Sequence, residues 1–150
     1  MRAAYLTVFC LLLLNFASAQ DRIPLKGDLK AAPIIGLNQT YSFKKSPAGY
    51  GNLKEFKINP DRNGTIFKEE RNSAWFILEI PFRGILTFDL RPYQIKDDYD
   101  WMLFKYNPDL DKNIRNDSAI PIRSNNARNA TSLSSKTGMA SGSISNFVKP

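Results

Sequence analysis

Three short runs between residues 53 and 106 place large apolar and aromatic side chains with a period of two. This pattern constrains the fold more than any other feature of the chain. Residues 74–80 (AWFILEI) set Ala74, Phe76, Leu78 and Ile80 on one face and Trp75, Ile77 and Glu79 on the other. Residues 85–90 (ILTFDL) align Leu86, Phe88 and Leu90. Residues 99–106 (YDWMLFKY) carry Tyr99, Trp101 and Leu103 on one face and Met102, Phe104 and Tyr106 on the other, so both faces are apolar. Alternation of this kind is the signature of strands. Pro81 and the Arg83-Gly84 pair separate the first two runs, which predicts an antiparallel hairpin. The third reads as a central strand covered on both sides, or as one with a core face and an aromatic outer face. No window sustains helical spacing, so the expected class is all-β. The expected architecture is a jelly-roll-like antiparallel β-sandwich, because packing two sheets is the usual way to bury such strands.

Chemistry is narrowed by what is missing. The 150 residues contain no histidine and one cysteine, Cys10. Without histidine there is no Ser-His-Asp site and no imidazole-ligated zinc. With 21 basic against 14 acidic residues, the net charge is +7. A charge of this sign favours weak attraction to anionic polysaccharide or cell surfaces.

The chain begins MRAAYLTVFCLLLLNFASAQ. Arg2 supplies a positive start, residues 6–14 an apolar stretch, and Ala17-Ser18-Ala19 a small-residue cleavage site. As a helix the apolar stretch would span only ~14 Å, about half a bilayer core. Residues 1–19 therefore read as a secretory signal peptide, which removes Cys10 from the mature chain. The rest has no second apolar span, and the expected location is secreted or at the cell surface. Residues 20–52 are rich in Pro and Gly and read as an N-terminal arm, with one short strand at 39–43. Residues 53–123 are expected to hold the core strands, including a weakly alternating stretch at 53–58 and an edge strand at 120–122. A turn is expected at 61–64. Residues 124–150, mostly Ser, Asn, Ala, Gly and basic, read as a loop or tail, with Ile144, Phe147 and Val148 hinting at renewed structure. Five or six strands are fewer than the seven or more of a typical sandwich. The expectation is a domain incomplete at its C-terminus, its remaining strands encoded downstream.

Three motifs carry a resemblance. They are Glu70-Arg71-Asn72-Ser73-Ala74-Trp75-Phe76, then Gly84-Ile85-Leu86-Thr87-Phe88-Asp89, then Asp97-Asp98-Tyr99-Asp100-Trp101-Met102-Leu103-Phe104. In order and spacing they resemble a family of secreted β-sandwich modules from Bacteroidetes-type bacteria. That family is related to the bacterial pre-peptidase C-terminal domain and occurs in OmpA-like and gliding-motility-associated surface proteins. The likeness covers about residues 53–148. The family continues with a Gly-Glu-x-Tyr-Tyr-Leu-type strand that this sequence lacks. The resemblance implies a non-catalytic accessory or adhesion role.

Several constellations offer chemistry. Asp97, Asp98 and Asp100 at a loop–strand junction, with Asp89 and with Glu69 or Glu70, supply the oxygen ligands that calcium takes. The competing reading has these residues capping a turn and pairing with Lys96 and Arg91. Asp109-Leu110-Asp111-Lys112-Asn113 imitates the start of an EF-hand but has Ile114 and Ile120 where glycine and glutamate belong, so it reads as an Asx-rich turn. Glu69, Glu70, Glu79 and Asp89 are too shallowly placed for glycosidase chemistry. Trp75, Tyr93 and Tyr99 are the aromatics that could stack a sugar, and core packing is the commoner fate of such rings. Aromatics interleaved with lysines at 41–57 imitate a single-strand nucleic-acid surface but read better as a solvated edge, and no nucleic-acid partner is expected. Asn38, Asn63, Asn116 and Asn129 open Asn-x-Ser/Thr triplets, read as chance products of composition in a bacterial chain. The expected function is therefore a non-enzymatic module for adhesion or accessory binding at the bacterial surface. Its expected partner is polysaccharide or another surface protein. An accessory domain of a secreted hydrolase or peptidase and a structural spacer are the alternatives.

Overall fold

A computed structural model describes residues 23–59, 67–127 and 135–148. The expected signal peptide, the turn at 61–64, and Asn63 and Asn129 lie outside these residues. The described chain is rich in strand, with little helix. Among the described residues, a 3-10 turn, Leu29–Ala31, precedes seven short strands and one helix. The strands are β1 (Ile34–Ile35), β2 (Ile77–Leu78), β3 (Phe88–Leu90), β4 (Trp101–Leu103), β5 (Arg123–Asn125), β6 (Thr137–Met139) and β7 (Phe147–Val148). Helix α1 spans Leu110–Arg115, between β4 and β5.

The apolar runs do become strands, but shorter ones and with other partners. β2 pairs in parallel with β1 from the arm, and β3 pairs antiparallel with β6. The expected hairpin between them does not form. β4 pairs antiparallel with β5, which pairs in parallel with β7. The three sheets have two, two and three strands. Two of the four pairings are parallel, so the antiparallel jelly-roll expectation is corrected to small mixed sheets. The physical reason is that strands are recruited from both flanks. The arm supplies β1, and the polar stretch after residue 123 supplies β6 and β7. Residues 39–43, 53–58 and 120–122 form no strand, although the Ile122 N–H donates to the Leu103 carbonyl at 2.7 Å and so continues the approach to β5.

Helix α1 replaces the Asx-rich turn. Leu110 and Ile114, one turn apart, are buried, while Asp111 and Arg115, also one turn apart, form a two-pronged ion pair at 3.0 Å per bond. The helix ends at Arg115, Asp117 turns the chain with a φ of 57°, and the Ser118 and Ala119 N–H groups return to the Asn113 carbonyl.

The core is small and composite. Leu29, Phe56, Leu110 and Ile114 are buried, with Trp75, Met102, Phe104 and Ala119 packed against them. Phe56 is the hub. Its ring stacks on Trp75 (centroids 5.9 Å apart, planes at 6°) and touches Phe67 and Phe104. Arm, central strands and helix thus share one apolar cluster.

Gly138 shows how β6 came to be a strand without apolar patterning. Its φ is +142°, and a Cβ there would run into the Phe88 carbonyl across the β3–β6 pair. Only glycine lets the two backbones come this close. Gly138→Ala is expected to cost about 2–3 kcal/mol, seen as a lower urea midpoint. Gly84→Ala, whose methyl would enter open space, should leave the midpoint nearly unchanged.

Candidate functional site

The most unusual chemistry lies under the arm. Residues 53–56 join no sheet, so their backbone donors cannot be satisfied by a ladder. The Glu70 carboxylate meets them instead, accepting the Glu55 N–H at 2.7 Å and the Phe56 N–H at 3.2 Å on Oε2. The Glu70 N–H returns to the Phe56 carbonyl at 3.2 Å. Two residues on, the Asn72 side chain accepts the Gly49 N–H at 3.0 Å, and the Ser73 N–H donates to the Gly49 carbonyl at 2.9 Å. The polar residues of the Glu-x-Asn-Ser motif therefore brace residues 49–56.

Glu55 is the second half of this arrangement. Its Oε1 accepts the Leu29 N–H at 2.8 Å, joining the arm to the middle of the chain. Glu55 is 1% exposed and Glu70 3%. One oxygen of each, Glu55 Oε2 and Glu70 Oε1, is buried without a hydrogen bond. Burial pushes the Glu55 carboxyl up to about 7. The Leu29 N–H pulls it down, and the Glu70 and Asp28 charges raise it further. Glu55 is thus a carboxyl kept neutral by its surroundings over the acid half of the pH scale.

The surrounding charges are largely committed. Asp28 accepts the Asn52 N–H at 2.8 Å and the Leu53 N–H at 2.7 Å, so it caps the same turn from the arm side. Gly27 and Gly51 let the two backbones touch there, because a Cβ on Gly27 would meet the Gly51 nitrogen. Asp111 holds Arg115 and also Lys30 at 3.2 Å. Its carboxyl is lowered, chiefly by Arg115 and then by Lys30, against a raising effect of burial. Glu69 pairs with Lys54 at 2.8 Å and Arg71 at 3.2 Å.

The acidic residues proposed as calcium ligands are placed differently. Asp89 is held by Lys136 and Arg91, each at 2.9 Å, and its carboxyl is lowered by those two partners in that order. This is the pairing with Arg91 that competed with the metal reading. The Asp97 N–H closes a turn onto the Gln94 carbonyl at 3.0 Å. Asp98 and Asp100 stand on the exposed side of the chain. The Asp100 carboxyl is raised, first by the protein packed around it and then by Asp98. Among the described residues, no three His, Cys, Asp or Glu side chains converge in a way that could hold a metal ion. The structure does not gather Asp89, Asp97, Asp98 and Asp100 into a cage.

The aromatic candidates also separate. Trp75 is turned inward and stacked on Phe56, which corrects its reading as a surface platform. The Tyr99 hydroxyl lies 2.7 Å from Ser46 Oγ, and its ring is half-buried. Tyr93 alone of the three is fully exposed. Sequence reasoning missed Glu55 altogether. Alternation across 53–58 would put Glu55 and Phe56 on opposite faces, whereas both are buried. The available signal was the acidic residue beside an aromatic in a stretch too weakly patterned to be a strand.

Comparison with protein-family models, with curated proteins and with solved structures finds no match for this chain. Among the described residues, no helix is long and apolar enough to cross a membrane.

Removing the Glu70 carboxylate strands two buried N–H groups. Glu70→Ala is expected to cost about 3 kcal/mol, measured by urea denaturation at pH 6. Glu69→Gln, which removes only the partly exposed ion pairs to Lys54 and Arg71, should shift the midpoint far less.

Proposed function

We propose that this chain is an exported, non-catalytic binding module that docks onto another protein at the bacterial surface. The carrying observation is the exposure of large apolar side chains along residues 80–95. Ile80 is 53% exposed, Phe82 64%, Ile85 81% and Tyr93 fully exposed, with Ile95 also open. Concentrations of exposed apolar residues mark interaction surfaces. Anchors of this kind supply most of the energy in protein–protein contacts.

The composition of this surface favours a protein over a polysaccharide. Sugars are gripped by exposed aromatic platforms, and of Trp75, Tyr93 and Tyr99 only Tyr93 is open. Aliphatic side chains such as Ile80 and Ile85 gain most from an apolar partner. The resemblance of the three sequence motifs to secreted surface modules points the same way, as does the leader-like N-terminus. The fold proposed for this role is a loose sandwich-like packing of the small sheets, in which the segments on either side of β3 are left for the partner. The net positive charge would speed encounter with an anionic surface without defining the contact.

Binding of the purified chain to intact cells of the source organism tests the reading. Phe82→Ser combined with Ile85→Ser is expected to weaken binding at least ~10-fold, with unchanged circular dichroism and melting temperature. Shaving the cells with protease should remove the binding sites. Retention on protease-treated cells, competed by soluble polysaccharide, would overturn the protein partner. Undiminished binding by the double variant would overturn the surface.

A further inference from the structure

Glu55 and Glu70 come from different stretches of chain and meet beneath a third, the arm at 26–35. Three of the arm's backbone attachments face residues 73–78. The Trp75 N–H donates to the Lys26 carbonyl at 2.9 Å, the Ile77 N–H to the Pro33 carbonyl at 2.9 Å, and β1 pairs with β2. On its other side the arm is held by two carboxyls, Asp28 on the turn at 52–53 and Glu55 on the Leu29 N–H. Of these two, Asp28 is the more open to solvent and Glu55 is almost wholly enclosed.

We propose that Glu55, packed beside Glu70, is a proton-operated latch on the arm, closed while Glu55 keeps its proton and loosened once it loses it. The geometry supplies the reason. Charged Glu55 would keep one hydrogen bond, from Leu29, and would bury a second negative charge beside the Glu70 carboxylate. Each of the two has an oxygen with no donor to stabilise that charge. The facing groups do not rescue it. From the arm, Asp28 adds negative charge, while Lys30 is engaged by Asp111. From residues 69–70 come Glu70 itself and Glu69, which is held by Lys54 and Arg71. From α1, the Arg115 guanidinium feels Glu55, but both its hydrogen bonds go to Asp111. The least costly relief is for the Glu55 carboxyl to reach water, and the arm is the element bonded to it. Lifting the arm also withdraws β1 from β2 and leaves a strand edge ready to pair with another chain. The latch stands independently of the protein-docking surface at 80–95.

The sign follows from linkage. A carboxyl raised in the closed form stabilises closure fully below its ordinary range, and that stabilisation fades as pH rises to about 7. Amide hydrogen exchange on the purified chain, corrected for intrinsic rates, reads it. Between pH 5 and pH 8 the opening constant at Leu29, Trp75 and Ile77 should rise on the order of 50- to 100-fold, then level off. The Ile122 and Ser124 amides, bonded in the β4–β5–β7 region, should hold their protection. Glu55→Gln keeps an acceptor for Leu29 and cannot ionise, so it should abolish the rise. If that variant does not fold, Glu70→Gln should shrink the rise by removing the neighbouring charge. A flat profile in the unaltered chain, an equal loss of protection at Ile122 and Ser124, or a rise untouched by the variant that folds would overturn the latch.

Discussion

Phe56 can serve as the hub of the core only because the Glu70 carboxylate accepts its N–H and that of Glu55. A buried backbone donor without an acceptor costs as much as the loss of a hydrogen bond. Residues 53–56 lie in no sheet, and a carboxylate with two N–H donors on one oxygen is a strong substitute for a ladder. Once Phe56 is fixed, Trp75 stacks on it, and Phe104, Leu29, Leu110 and Ile114 fill the remaining space. The apolar cluster is therefore built on a polar foundation. Its cost is a second carboxyl, Glu55, enclosed beside the first.

The legible part of the fold was the position of the strands. Each apolar run contains one, β2 within 74–80, β3 within 85–90 and β4 within 99–106. Strand partners were not legible, because alternation reports burial of a face and says nothing about which backbone lies alongside. Adjacency in sequence suggested that β2 pairs β3, but β1 from the arm took the first and β6 the second. β5 (RSN) and β6 (TGM) have no apolar alternation to detect, and the close approach at Gly138 is made by what the residue lacks. Helix α1 is too short for a periodic window, although Leu110 and Ile114 lie one turn apart.

The candidate site divides in the same way. Residue type alone flagged Glu70, but as a possible ligand or acid, and its task is to satisfy backbone. Asp89 stands out in sequence as one more acidic residue near a cluster, yet its two basic partners include Lys136, distant in the chain and brought close by the β3–β6 pairing. Trp75 sat on the face opposite the apparent core of its strand. It turned inward because the larger cluster lies on that side, assembled from the arm and α1. Long-range partners decide the role of each such residue, and a single sequence does not carry them.

Small sheets leave edges, and edges are where a β-rich chain meets other molecules. Here the edge of β2 is covered by a two-residue strand whose own anchorage runs through Leu29 to Glu55. The cover is thus attached to a buried carboxyl that is costly to charge. If only stability mattered, a neutral acceptor at position 55 would hold the Leu29 N–H at lower cost, since a buried carboxyl beside a second one is expensive to charge. What Glu55 offers that leucine does not is an acceptor for the Leu29 N–H and a response to protons. The acceptor alone could be supplied by glutamine. The carboxyl adds what glutamine cannot, a hold on the arm that depends on the pH of the medium.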